Sequence, residues 1–120
     1  MKIVSISEDK NIERRVAITP EIAKKYLSFG FEITISENYG DHLGFKDDEY
    51  KNLGVKISNN NNEILESGDI IVQLNLLSDK NLSSLKEGQI LVGVLNPYEN
   101  MNKIKDLIKK KINNFSLELL

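Results

Sequence analysis

The sequence predicts a three-layer α/β domain in which helices flank a mostly parallel sheet. Short apolar strand patterns alternate with amphipathic helix patterns along all 120 residues, and short connections join them. A chain of this size buries roughly two thirds of its unfolded surface, enough for a core without disulfides. It contains no Cys, which also excludes a thiolate metal site. We therefore expect one domain over residues 1 to 120.

The first strand and the first helix are clearly marked. Residues 2 to 6 (KIVSI) predict a strand, and the polar residues 7 to 15 predict the loop that follows it. Thr19 is a typical helix cap, Pro20 is favoured in the first turn, and Gly30 allows a left-handed exit. These residues predict a helix that buries one apolar face.

The centre of the chain predicts two strands and two short helices. Apolar and polar residues alternate from 31 to 36, which indicates a strand with one buried face. Four consecutive Asn residues, 59 to 62, disfavour helix and strand interiors and predict a turn. The other predicted elements are a short helix capped by Asp47 and ended by Gly54, a strand at Val55 and Ile57, and a weak helix from Glu63 to Ser67 with Gly68 as its exit.

The last third of the chain predicts two buried strands, a helix and a final strand. Residues 70 to 74 and 89 to 95 are nearly continuous apolar runs, as expected of strands covered on both faces. The final strand pattern reaches Leu120 without an exit turn or a closing helix, so we expect a domain that is incomplete at its C-terminus. The predicted helix is capped near Asn100 and stacks Ile104, Leu107, Ile108 and Ile112, and the final strand contains Phe115, Leu117 and Leu119.

The charge balance argues against nucleic acid as a partner. There are 16 Lys and Arg residues against 18 Asp and Glu residues, a net charge of −2, and the lysines are scattered. A surface that tracks phosphates needs a basic excess or stripe. The longest apolar stretch, residues 90 to 95, is far shorter than the roughly 20 residues that cross a bilayer, and no signal-peptide pattern is present. We therefore expect no transmembrane segment and an intracellular chain.

Arg15 is the strongest candidate for a site residue. Ligands of open parallel sheets bind beyond the carboxyl ends of the strands, and Arg15 lies in the loop after the first strand. Its guanidinium could hold a carboxylate or phosphate through paired hydrogen bonds. The alternative is a surface arginine paired with Glu8 or Glu13. The other loops expected at this edge are residues 37 to 46, 73 to 79 and 96 to 100.

Other candidate groups have simpler explanations. The glycines give no G-x-G-x-x-G spacing, so this domain should not carry the main grip on a dinucleotide. His42 is the only histidine and could serve as a general base, but a solvated loop position explains it more simply. The acidic pair Asp47 and Asp48 fits a helix start better than a metal site. We assign no catalytic residue and no metal ligand.

Four short motifs follow one another along the chain. They are Arg15 to Pro20 (RVAITP), Asp47-x-x-Tyr50-x-x-x-Gly54-Val55, Ser67 to Val72 (SGDIIV) and Asn96 to Asn100 (NPYEN). In residues and order they resemble the N-terminal domain shared by alanine dehydrogenase and the alpha subunit of proton-translocating NAD(P) transhydrogenase. The first motif is the most specific of the four.

Two positions favour the transhydrogenase branch of this family. Alanine dehydrogenases carry a substrate-gripping lysine where this chain has Gln73, and a catalytic histidine after the strand that here ends near Pro97, where no histidine is present. Deamination of alanine needs such acid and base groups. Transhydrogenase needs neither, because hydride passes directly between two nicotinamides that the protein aligns. The NPYEN turn also resembles the transhydrogenase branch.

The resemblance implies a larger assembly. It implies a Rossmann-like or flavodoxin-like fold for residues 1 to 120 and an NAD-binding Rossmann domain downstream. The complete component would bind NAD(H), form a homodimer and pass hydride to NADP on a beta subunit, coupled to proton movement. It would be cytoplasmic and peripheral to the inner membrane through its partner subunits. Arg15 and Gln73 would line the nucleotide cleft without being catalytic, and residues 1 to 120 alone would be inactive.

Two alternatives stay open at this point. The first is an amino-acid dehydrogenase similar to alanine or saccharopine dehydrogenase whose chemistry has changed. The second is a non-catalytic α/β binding module. A dinucleotide glycine motif downstream of Leu120 would exclude the binding module, and an assay of the complete chain would separate the two enzymes.

Overall fold

Six parallel strands form one sheet in the computed structural model, which describes residues 1–11, 13–94 and 100–116. The strands are β1 (Lys2–Ser5), β2 (Glu32–Ser36), β3 (Lys56–Ser58), β4 (Ile70–Asn75), β5 (Ile90–Val94) and β6 (Asn113–Ser116), and the helices are α1 (Pro20–Ser28), α2 (Asp47–Leu53), α3 (Asn61–Ser67), α4 (Asp79–Leu82) and α5 (Met101–Lys109). The strand order is β3-β2-β1-β4-β5-β6, and neighbouring strands are parallel throughout. The predicted α/β class is confirmed, with a sheet that is wholly rather than mostly parallel.

Helices cover both faces of the sheet, because successive residues of a strand point to opposite sides. In β1, Ile3 belongs to the core cluster beneath α1 and α2, whereas Val4 belongs to the cluster beneath α3 and α5. The same alternation recurs in β4, where Ile70 packs on the first cluster and Ile71 on the second. The nearly continuous apolar sequence of β4 therefore serves two separate cores.

Helix starts follow the side chains that satisfy the first amide groups. Thr19 caps α1 by accepting a hydrogen bond from the amide three residues ahead, as predicted. Asn60 caps α3 in the same way, so this helix begins two residues earlier than predicted. The predicted cap of α2 is wrong: Lys46 occupies the cap position, and the carboxylate of Asp47 accepts from the amide of Asn38 instead.

Two elements differ from the sequence pattern. Helix α4, which Ser78 caps, gives no sequence signal because four residues are too few to show a period. Helix α5 ends at Lys109, and the left-handed backbone of Lys111 (φ 61°) brings Ile112 into the core from beyond the helix. No helix within the described ranges is long and apolar enough to cross a membrane. Residues 96 to 99 of the NPYEN turn and the predicted strand positions 117 and 119 lie outside the described residues.

The direction of chain progression reverses between β1 and β4. From β1 the chain adds β2 and β3 on one side, then crosses back to place β4 on the other side of β1. The connections that leave β1 and β4 therefore diverge and open a crevice at the carboxyl ends of these strands, where open α/β sheets bind their ligands. We call this place, between the carboxyl ends of β1 and β4, the switch point.

Candidate functional site

A cleft of about 460 Å³ opens at the carboxyl ends of β1 and β4. Glu8, Asp9 and Lys103 are the charged residues that line it, together with the amides of Gln73 and Asn75. Two of these three are acidic, and the ammonium group of Lys103 pairs with Asp79 at 3.5 Å. An anionic substrate is held best by arginine or by paired backbone donors, and this lining offers no arginine.

Gln73 is 2% exposed, and both ends of its amide are engaged. Its Oε1 accepts a hydrogen bond from the amide of Ile6 at 2.7 Å and lies 3.0 Å from Ser5 Oγ. Its Nε2 donates to the carbonyl oxygen of Ile6 at 3.1 Å and to Glu8 Oε2 at 2.8 Å. Both amide hydrogens are therefore used inside the protein, where they tie the end of β1 to β4.

The carboxylate of Glu8 binds the amide groups at the end of β4. It accepts from the amides of Leu74 at 2.8 Å and Asn75 at 3.4 Å, in addition to Gln73 Nε2. The pairing of β4 with β5 shifts register between Val72 and Asn75, so this end of the strand is irregular. Burial raises the pKa of the Glu8 carboxyl above its ordinary value, and the three hydrogen bonds oppose that rise.

A buried hydrogen-bond chain runs from Gln73 to the loop that carries Arg15. Ser5 Oγ lies 2.9 Å from the Tyr39 hydroxyl, which in turn accepts from the amide of Ile18 at 3.2 Å. Burial raises the pKa of Tyr39 to about 12, so its phenol stays protonated at neutral pH. Hydrogen bonds thus connect Gln73, at the switch point, to Ile18 in the segment before α1.

Arg15 lies on the surface, with 76% of its side chain exposed. The carboxylate of Glu13 accepts from Arg15 Nε at 2.9 Å, from Nη2 at 2.8 Å and from the main-chain amide at 2.9 Å. These hydrogen bonds lower the pKa of Glu13 to about 2. Of the two sequence-based interpretations, the contact observed is the ion pair with Glu13. Arg15 is not among the residues that line the Gln73 cleft.

His42 and the acidic pair at the start of α2 have structural partners. His42 is half-buried rather than solvated, and its Nε2 donates to the carbonyl oxygen of Arg14, which contradicts the predicted solvated position. Asp47 accepts from the amide of Asn38. Among the residues that the structure describes, no group of three His, Asp or Glu side chains could hold a metal ion.

Sequence reasoning missed three residues that build this site: Ser5, Glu8 and Tyr39. Their places carried a usable signal, because Ser5 is a polar residue within a buried strand and Glu8 follows just beyond its carboxyl end. Tyr39 lies in the loop after β2, at the same edge of the sheet. What the sequence did not reveal is that the three belong together, since the hydrogen bonds that join them span 34 to 68 residues.

Comparisons with known proteins agree with this architecture. Residues 5–120 match the family described as "Alanine dehydrogenase/PNT, N-terminal domain". An NAD(P) transhydrogenase alpha subunit from Rickettsia prowazekii is 40% identical over 100% of this chain and 32% of its own length. An alanine dehydrogenase from Methanococcus maripaludis is 30% identical over 92% of this chain and 30% of its own length.

A solved structure also matches over nearly the whole chain. The crystal structure of transhydrogenase from Sinorhizobium meliloti superposes with a TM-score of 0.89 at 26% identity, over 98% of this chain and 35% of that chain. The chain thus spans about a third of the length of the relatives that it matches. The family match covers nearly every residue of the chain, and the folds agree. The chain belongs to the alanine dehydrogenase/PNT N-terminal domain family.

Proposed function

We propose that this chain is the N-terminal domain of the NAD(H)-binding component of a proton-translocating NAD(P) transhydrogenase. In this role it forms one wall of the cleft in which NADH delivers hydride to NADP held by a beta subunit or other NADP-binding component. Similarity to transhydrogenase alpha subunits supports the assignment. The component works at the cytoplasmic side of the inner membrane, bound there through its partner subunits, and it is a homodimer when complete.

The observation that carries the proposal is the state of Gln73. This position holds a neutral amide with both amide hydrogens committed to Ile6 and Glu8. A lysine here could neutralise a substrate carboxylate, whereas a buried and saturated glutamine has no donor left for one. The neighbouring Glu8 repels a carboxylate further. Oxidation of an amino acid therefore lacks its anchor, while hydride transfer between two nicotinamides needs mainly that the protein align them.

The main grip on NAD lies outside residues 1 to 120 in this proposal. These residues contain no G-x-G-x-x-G motif, which brings a backbone close to pyrophosphate. A Rossmann domain downstream supplies that grip. Arg15 and Gln73 line the nucleotide cleft between the two domains in this proposal, although only Gln73 lines the 460 Å³ cleft within this domain. Gln73 shapes the switch point, and the exposed guanidinium of Arg15 reaches a phosphate or amide of the nucleotide. Residues 1 to 120 alone do not transfer hydride.

The test uses the full-length protein with its NADP-binding partner component. We expect NADH-dependent reduction of an NADP analogue and no reduction of NAD by alanine. Gln73→Lys is the matched variant: we expect it to leave alanine oxidation absent, because Glu8 would pair with the new ammonium. Alanine-dependent NAD reduction by the unaltered protein, without transhydrogenation, would overturn the proposal in favour of an amino-acid dehydrogenase. Failure of both reactions, with no NADH binding, would favour a non-catalytic module.

A further inference from the structure

Two buried tyrosines hold the main chain of one residue, Ile18, in the segment that carries Arg15. The amide of Ile18 donates to the Tyr39 hydroxyl at 3.2 Å, and the Tyr50 hydroxyl donates to the carbonyl oxygen of Ile18 at 2.8 Å. Both tyrosines and Ile18 are fully buried, and the two rings pack edge to face with centroids 6.0 Å apart. We call this pair of tyrosines the tyrosine clamp.

The tyrosine clamp continues into the switch-point cleft. Because the Tyr39 oxygen accepts from Ile18, its own proton is available for Ser5 Oγ, 2.9 Å away. Ser5 then has one proton for the carbonyl oxygen of Val72 at 2.6 Å or Gln73 Oε1 at 3.0 Å. One connected series of hydrogen bonds therefore joins the wall of the cleft to the Arg15 segment.

The chain between Tyr39 and Tyr50 also holds the Arg15 segment on the other side of Arg15, at Arg14. His42, between the two tyrosines in sequence, donates from Nε2 to the carbonyl oxygen of Arg14. Packing there is tight: a Cβ added at Gly40 would lie 2.9 Å from Phe45 Cβ and 3.2 Å from the Tyr50 hydroxyl oxygen. The loop after β2 therefore fixes the loop after β1 on both sides of Arg15.

We infer that Tyr39 and Tyr50 are positioning residues that set the place of Arg15 at the nucleotide cleft through the main-chain amide and carbonyl groups of Ile18. This inference rests on the proposed function, in which Arg15 lines that cleft. Loss of either hydroxyl leaves a buried main-chain group of Ile18 without its hydrogen-bond partner. Because an unpaired buried group is costly, the segment shifts until that group finds another partner or water. Arg15 is three residues away, so its guanidinium moves with the segment.

The test measures hydride transfer from NADH in the full-length protein with its NADP-binding partner. We expect Tyr39→Phe and Tyr50→Phe each to raise the KM for NADH by about threefold to tenfold, the effect of weakening one charge-assisted hydrogen bond, with kcat nearly unchanged. In an Arg15→Ala background the same substitutions should add no further increase, because the group they position is gone. Tyr26→Phe, on α1, is the control and should leave KM unchanged.

A second control separates positioning from stability. Ile64→Val loosens the other core cluster, so it should lower the melting temperature without raising the KM. If Tyr39→Phe does not fold, Tyr50→Phe carries the same test. An increase in KM that persists in the Arg15→Ala background, or no increase in either tyrosine variant while Arg15→Ala raises KM, overturns the inference alone. An Arg15→Ala enzyme with unaltered KM overturns the proposed role of Arg15 itself.

Discussion

Gly68→Ala tests whether the glycine of the SGDIIV motif is required by packing rather than by backbone conformation. Gly68 has φ −85° and ψ 146°, an extended conformation open to any residue. A Cβ added there would lie 2.9 Å from Val4 Cγ1 and closer still to Val4 Cγ2, whereas ordinary contact begins at 3.4 Å. A glycine is therefore required at position 68 because the main chain there lies so close to Val4 of β1. The loss of folding free energy on substitution measures how close this contact is.

The magnitude follows from how little Val4 can move. Val4 is fully buried and pairs with Thr34 on one side and Ile71 on the other, at the centre of the sheet. Overpacking of this kind costs about 1–3 kcal/mol, and we expect Gly68→Ala near the upper end. In a Val4→Ala background the nearest atom of residue 4 is its Cβ, at 3.2 Å, so the same substitution should be nearly neutral. The coupling free energy should be about 2–3 kcal/mol.

Urea unfolding of the four proteins of this cycle measures the coupling. Gly88→Ala is the matched control, because Gly88 has φ 89° and no atom within 4 Å of its added Cβ. Gly88→Ala should lose stability only through backbone strain. That loss of free energy should be the same whether position 4 is Val or Ala. Strictly additive free energies for Gly68→Ala and Val4→Ala, or a loss below about 0.5 kcal/mol for Gly68→Ala alone, would refute the packing argument.

Three further predictions concern the site. Gln73→Leu should lower the free energy of unfolding by about 3 kcal/mol in urea titrations, because the amide and the carbonyl oxygen of Ile6 both lose their hydrogen-bond partner. A loss under about 1 kcal/mol would contradict this. The pKa of Glu13, about 2 beside Arg15, should return toward 4.5 in Arg15→Ala when followed by carboxyl NMR, and an unmoved value would disprove the ion pair. Because the folded pKa of Glu8 is raised, the wild type should gain stability relative to Glu8→Gln as pH falls from 7 toward 4.5, and a relative loss over that range would reverse the sign assigned here.

The fold was predictable because its signals are local. Thr19, Pro20 and Gly30 mark the ends of the first helix within twelve residues, and the alternation from 31 to 36 identifies a half-buried strand. The errors have local causes as well. The run of Asn residues predicts a turn, yet Asn60 caps α3, because an Asn side chain supplies the oxygen that the first helical amides require.

The candidate site was only partly predictable, because its contacts are not local. The choice of loops at the carboxyl ends of the strands follows from topology, and it led to Arg15 and Gln73. The partners of Gln73 could not be inferred, since its hydrogen bonds to Ile6 and Glu8 cross 67 and 65 residues. A polar residue inside an apolar strand indicates that it has a partner without identifying that partner.

The exposure of Arg15 and the burial of its supports are consistent with one another. In the proposed role the guanidinium must be exposed to a nucleotide held by another domain, yet an exposed side chain without internal contacts binds weakly because it must be ordered on binding. The structure orders the loop from beneath, through the tyrosine clamp on Ile18, and orients the guanidinium from the side, through Glu13. On the inferred role, the buried hydroxyls of Tyr39 and Tyr50 serve to hold Ile18 in place, because phenylalanine would fill the same space without a polar group to satisfy.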